Sequence, residues 1–145
     1  MTNSLRREAR KIALQSLFEV DAVPHDIGVV LQRHLSEADL PLEVKEFIIN
    51  LVHGVQNNLK ALDQVIVGAA PNWPLDQMAK IDKNILRLAI FEILIDNKSP
   101  MKAVINEAIE LSKIFGSESS SRFVNGVLGT VVTQKEKGLL SISKT

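Results

Sequence analysis

The sequence predicts an all-α protein of about seven helices. Three observations carry this. Apolar residues recur at spacings of three and four along most of the chain, the signature of one helix face. No period-two alternation persists long enough to make a strand. Aromatic residues are sparse at 4%, five Phe and one Trp with no Tyr, whereas sandwiches and barrels draw heavily on aromatic and β-branched filling.

The first helix is read from Leu5, Ala9, Ile12, Ala13, Leu17 and Val20, with Asn3 or Ser4 as its cap and Val23-Pro24 as its end. A short second segment, about residues 25–35, carries Ile27, Val30, Leu31 and Leu35 at helical spacing. Pro41 opens a third element at a position where its missing N–H costs nothing. From there Val44, Ile48, Leu51, Val55, Leu59, Leu62 and Ile66 form one stripe, read as a single helix of about 28 residues ending near Gly68. Gly54 inside it costs about 1 kcal/mol against Ala and is a candidate for a close crossing of another helix.

Residues Pro71-Asn72-Trp73-Pro74 make a turn, with Trp73 as a packing anchor between two halves, and Leu75 to Ala79 adds one or two helical turns. Ile81, Ile85, Leu88, Ala89, Glu92 and Ile95 line up as the next helix, with Asp82 as its N-cap. It is apolar nearly all round, which puts it at the centre. After a loop over residues 96–100, a helix from Met101 to Phe115 shows Val104, Ala108 and Leu111 on one face, and Gly116 stops it. Ser117 to Ser121 is a polar link and cap. Phe123, Val124, Val127, Leu128 and Val131 make the last helix. Residues 1–133 are read as one helical domain and 134–145 as a polar, flexible tail.

Composition narrows the chemistry. The absence of cysteine excludes disulfides, thiolate catalysis, cysteine-bound zinc and iron–sulfur clusters. His25, His34 and His53 lack the spacing of a zinc motif, and no glycine-rich phosphate loop appears, so neither metal nor cofactor is expected. Gly126 and Gly129 match the bare GxxG of a KH loop, but they lie in a helical apolar pattern. No catalytic set stands out, and the expected function is binding. No apolar run approaches the roughly 18–20 residues of a membrane span, and no secretory signal follows the N-terminal arginines, so a cytoplasmic location is expected.

The formal net charge is +0, but it is unevenly spread. Arg6, Arg7, Arg10 and Lys11 stand against Glu8 alone; four cations less one anion give the first eleven side chains +3, so the other 134 sum to −3. On a helix Arg6 and Arg10 are neighbours, as are Arg7 and Lys11, giving two cationic rows beside the core stripe. Cations at a helix N-terminus work against the macrodipole, so their concentration there points to an external anion, and a phosphate backbone fits. Four such contacts to a single strand would give a log–log salt slope near −3. Phe18 sits at the edge of the core stripe, and Phe123 opens the last helix directly after Arg122. Each is either core filling or a stacking surface for an unpaired base.

Three stretches resemble the NusB family of bacterial transcription antitermination factors. The run from Arg6 to Phe18 is similar to an arginine-rich opening that leads into an Ala-Leu-Gln-x-Leu-aromatic helix. The run from Ile81 to Glu92 resembles an Ile-Leu-Arg-Leu-Ala-x-aromatic-Glu helix. The stretch from Pro100 to Leu128 is the most specific, above all Phe123-Val124-Asn125-Gly126-Val127-Leu128.

The resemblance implies two small helix bundles packed across each other. It also implies a non-enzymatic protein that binds single-stranded boxA RNA with ribosomal protein NusE, joins an RNA polymerase antitermination complex, and in some members forms a homodimer. Carried over, it makes Arg6, Arg7, Arg10, Lys11, Phe18 and Phe123 RNA-contacting, to which Arg122 is added for its place beside Phe123 at a helix start, and makes Asp82 and Phe91 part of the face toward NusE. Phe18 stands where Tyr is common and lacks its hydroxyl; Ser119 replaces a frequent acidic residue. Two other readings are a helical protein-interaction adaptor and the RNA-binding module of an rRNA methyltransferase, the latter disfavoured because no catalytic part follows.

Overall fold

A computed structural model describes residues 1–140, and among these all regular structure is helical. The helices are α1 (Asn3–Ala22), α2 (Ile27–Glu37), α3 (Leu42–Asn57), α4 (Leu59–Ala69), α5 (Lys80–Ile90), α6 (Met101–Phe115) and α7 (Ser120–Glu136). A short 3₁₀ turn, Leu75–Gln77, precedes α5, and a π-helical turn, Phe91–Asp96, extends it.

Local chemistry sets most of the ends. Thr2, one residue before the expected caps, accepts the backbone N–H of Leu5 at 3.1 Å and starts α1. Asp26 caps α2 by accepting from the Gly28 N–H at 2.7 Å. The single long helix expected from Val44 to Ile66 is two helices. Asn58 breaks it: its side-chain amide donates to the Gly54 carbonyl at 2.7 Å, a local bond that competes with the helical ladder. Asp82 is not a cap; α5 begins at Lys80, and Asp82 sits in its first turn, where a carboxylate suits the dipole.

Helix α5 lies at the centre, with every residue from Asn84 to Ile90 buried, although it is not apolar all round: Lys83, Asn84 and Arg87 form a polar side that Asp21 and Asp63 satisfy. Around it α1, α4, α6 and α7 all pack, while α2 and α3 lie against α1. The result is an N-terminal group, α1 to α3, set against a C-terminal group, α4 to α7. At Gly54 the groups meet: a Cβ there would stand 2.1 Å from the Phe91 ring, so α3 crosses the π-helical turn at a distance only glycine permits. A second forced glycine, Gly116, closes the α6–α7 corner, where a Cβ would lie 2.5 Å from the Ser120 hydroxyl.

Polar ties fix the relative setting of the helices. The Asp21 carboxylate on α1 accepts from Asn84 at 3.0 Å and pairs with Lys83 at 3.1 Å on α5. Burial pushes the Asp21 carboxyl up, but Lys83, Asn84 and Arg87 outweigh burial and hold it below its ordinary value. Arg87 makes a two-point bond to Asp63 of α4 at 2.7 and 2.8 Å. Near the other end of α1, Arg10 makes a two-point bond to Glu92 at 2.9 Å in each arm. These contacts run α1 antiparallel to α5. The short connection between the π-helical turn and α6 makes those neighbours antiparallel too, so α1 and α6 run the same way.

Candidate nucleic-acid interface

The face that α1 turns to solvent follows from its geometry. At about 100° per residue, Arg7, Lys11 and Phe18 fall within roughly 40° of one another. They lie away from Ala9, Ala13 and Leu17, which are sealed in the core. Arg7 and Phe18 are exposed, Phe18 at 37%, and Lys11 is half-buried. Two cations and one aromatic thus share a stripe about 16 Å long, from the rise of 1.5 Å per residue.

The N-terminal end of this stripe opens on a cleft of about 430 Å³ between the starts of α1 and α6, where Arg6, Arg7 and Arg10 meet Lys98, Ser99 and Glu107. The cations in it are unequal. Arg7 bonds Glu107 through two arms, each 2.9 Å. That contact raises the Arg7 guanidinium and holds the Glu107 carboxyl below its usual range. Lys11 pairs with Glu8 at 3.1 Å. Arg6 reaches only the Asn3 side chain, at 3.4 Å, and has no carboxylate partner among the described residues.

Arg10 corrects the sequence expectation. It is 4% exposed and faces Glu92, itself 1% exposed, with its guanidinium 5.7 Å from the Phe47 ring centroid. A buried two-point pair of this kind, with a further 3.4 Å contact from Nη2 to the Ser99 hydroxyl, ties α1 to the π-helical turn, and its burial is what sets Arg10 apart from the exposed Arg7. The signal was present in the sequence: Ala13, Leu14 and Leu17, at i+3, i+4 and i+7 from Arg10, are all core residues.

The expected partner-facing pair is corrected as well. Phe91 is 6% exposed with its ring against Gly54, a core position. Asp82 is 7% exposed, and its Oδ1 is buried without a hydrogen-bond partner.

The two aromatic candidates open onto different neighbours. Phe18 borders a hollow of about 390 Å³ with Gln15, Glu19, Ala22, Val23 and His34. Glu19 there is held below its ordinary value by hydrogen bonding to Arg33. Phe123, half-buried at the start of α7, lies 5.6 Å from Trp73 between ring centroids, with the planes at 48°. Arg122 beside it is exposed. Trp73 is 52% exposed, so it is no interior anchor; the Pro71–Pro74 turn carries it outward against Phe123. Sequence reasoning missed this pairing because it joins residues fifty positions apart.

No helix of the described residues is long and apolar enough to cross a membrane. The NusB family model matches residues 7–133. A transcription antitermination protein NusB from Roseiflexus sp. (strain RS-1) is 55% identical over 133 residues, covering 90% of this chain and 94% of that protein. One from Chloroflexus aggregans is also 55% identical, covering 90% and 89%. Among solved structures, T. maritima NusB superposes with a TM-score of 0.83 at 32% identity, over 93% of this chain and 97% of that one. A crystal structure of antitermination factors NusB and NusE in complex with dsRNA gives a TM-score of 0.83 at 22% identity, over 91% and 98%, a likeness of fold.

Proposed function

The chain belongs to the NusB family, and from that premise we propose that it binds single-stranded, boxA-type RNA together with ribosomal protein NusE. It is a transcription antitermination factor, not an enzyme. Through the RNA and NusE it supports ribosomal RNA transcription as part of an assembly on RNA polymerase, which implies a cytoplasmic protein.

The observation that carries this reading is the outer stripe of α1. Arg7 and Lys11 give sequence-independent attraction to phosphate, with Arg6 beside them in the cleft. Phe18, exposed on the same stripe, offers a face to an unpaired base. That aromatic contact favours single strands, whose bases are free to splay. The pairs with Glu107 and Glu8 hold Arg7 and Lys11 extended over the surface while leaving part of each cation accessible. Asp82 and Phe91 are both buried, which weighs against them as the face for NusE.

With Arg10 withdrawn, three cations remain on α1. At roughly 0.7 per contact for a single strand, these three should account for about −2 of the slope of log affinity against log salt. A filter-binding titration of boxA-type RNA checks this, with NusE present and absent. The Arg6→Ala/Arg7→Ala/Lys11→Ala variant should bind weakly with a much shallower slope. An undiminished slope in that variant would remove α1 as the phosphate grip. If RNA and NusE bind cooperatively, each must tighten the other by the same factor.

A further inference from the structure

Trp73 is the molecule's least explained side chain. A tryptophan is worth most to stability when buried, yet this one is 52% exposed while many smaller apolar residues fill the core. Nor is it loose. Its backbone N–H donates to the Ala70 carbonyl at 3.1 Å, Pro74 follows it directly, and its ring is braced against Phe123 at a separation typical of tilted aromatic pairs. Arg122, next to Phe123, is exposed and has no carboxylate partner among the described residues. The fold thus presents a rigid aromatic wall beside an unpaired cation, the combination that grips one nucleotide of a single strand.

Its position along the molecule follows from the ties between α1 and α5. Lys80 donates to the Asp21 carbonyl at 3.4 Å and Lys83 pairs with the Asp21 carboxylate at 3.1 Å, so the end of α1 is tied to the start of α5. The turn bearing Trp73 leads through the 3₁₀ turn directly into that start. A strand laid along α1 from Arg7 to Phe18 therefore heads toward the end of the molecule that carries Trp73.

We propose that Trp73, braced by Phe123, stacks one unpaired base of the bound RNA, with Arg122 neutralising that nucleotide's phosphate. The proposal rests on the RNA-binding reading above and adds Trp73 as a further RNA-contacting residue.

Trp73 is the sole tryptophan, so its emission reports on this site alone. A 5′-labelled boxA-type single strand is titrated into the full-length protein while RNA anisotropy and tryptophan emission are both followed. RNA should quench Trp73. Trp73→Ala should weaken binding roughly 5- to 150-fold, and Trp73→Phe should restore most of the loss. The α1 triple variant should bind more weakly yet show the same quench at saturation. Normal anisotropy with unchanged emission, and an unaltered affinity in Trp73→Ala, would overturn the proposal and leave the RNA-binding reading standing. Quenching by NusE without RNA would overturn it as well, by making the pair a protein contact. No anisotropy change at all would remove both.

Discussion

Changing Arg10 and Glu92 singly and together separates a structural cation from an RNA-binding one. Their side chains are 5% and 2% exposed and share two 2.9 Å bonds. Arg10→Met leaves the Glu92 carboxylate buried and unpaired, which costs about 3–5 kcal/mol. At a few degrees per kcal/mol for a chain of this size, Tm should drop on the order of 10 °C. Arg10→Met/Glu92→Met removes both charges, and apolar replacement of such a pair is commonly neutral or stabilising, so the double variant should recover most of the loss. Calorimetry reads the stabilities; filter binding of boxA-type RNA reads the function. The double variant should bind RNA with the parent's affinity and salt slope. Wild-type stability combined with lost RNA affinity would refute the reasoning by showing that Arg10 leaves Glu92 to meet phosphate. A single variant costing under about 1 kcal/mol would refute the burial argument itself.

Two other expectations follow from the fold. Gly54→Ala puts a methyl 2.1 Å from the Phe91 ring and should cost about 1–3 kcal/mol by denaturant titration; a neutral result would mean the crossing of α3 and the π-helical turn relaxes freely. Asp21 and Glu107 are held below their ordinary values of 3.8 and 4.5, so each binds fewer protons folded than unfolded. Their contribution to stability is complete above those values and drains away as pH falls through the lower folded ones. Unfolding followed from pH 6 to pH 2 should show this, and Asp21→Asn should flatten the acid limb. An equally steep limb in that variant would count against the Asp21 network.

The fold was legible wherever one helix face decided burial. The stripes of α1, α2, α6 and α7 need only the sequence period, and the structure keeps them; α5 is central as expected, but its burial rests on carboxylates of α1 and α4 that meet its polar side. The period could not reveal the break at Asn58, because the apolar stripe runs straight through it; the cause is one side-chain bond to Gly54. The π-helical turn was equally hidden, since it depends on the Asn97 N–H choosing the Glu92 carbonyl, at 2.9 Å, in a left-handed backbone at Asn97. For the candidate site, the cluster of cations was legible and their partners were not. Glu92 and Glu107 are distant in sequence, and only tertiary packing shows that one arginine is sealed inside while its neighbour stays at the surface. Phe91 is core because α3 crosses above it at Gly54, a contact between distant segments that the sequence period does not show.

Arg10 and Asp21, eleven residues apart on α1, are each pinned to the α5 column. A rod fastened at two points about 16 Å apart cannot roll about its long axis. The orientation of Arg7, Lys11 and Phe18 is thereby settled before any ligand arrives. The first helix works as a fixed ruler: the interval between its charges and its ring is set by the protein, and a strand of the wrong spacing must deform to match it.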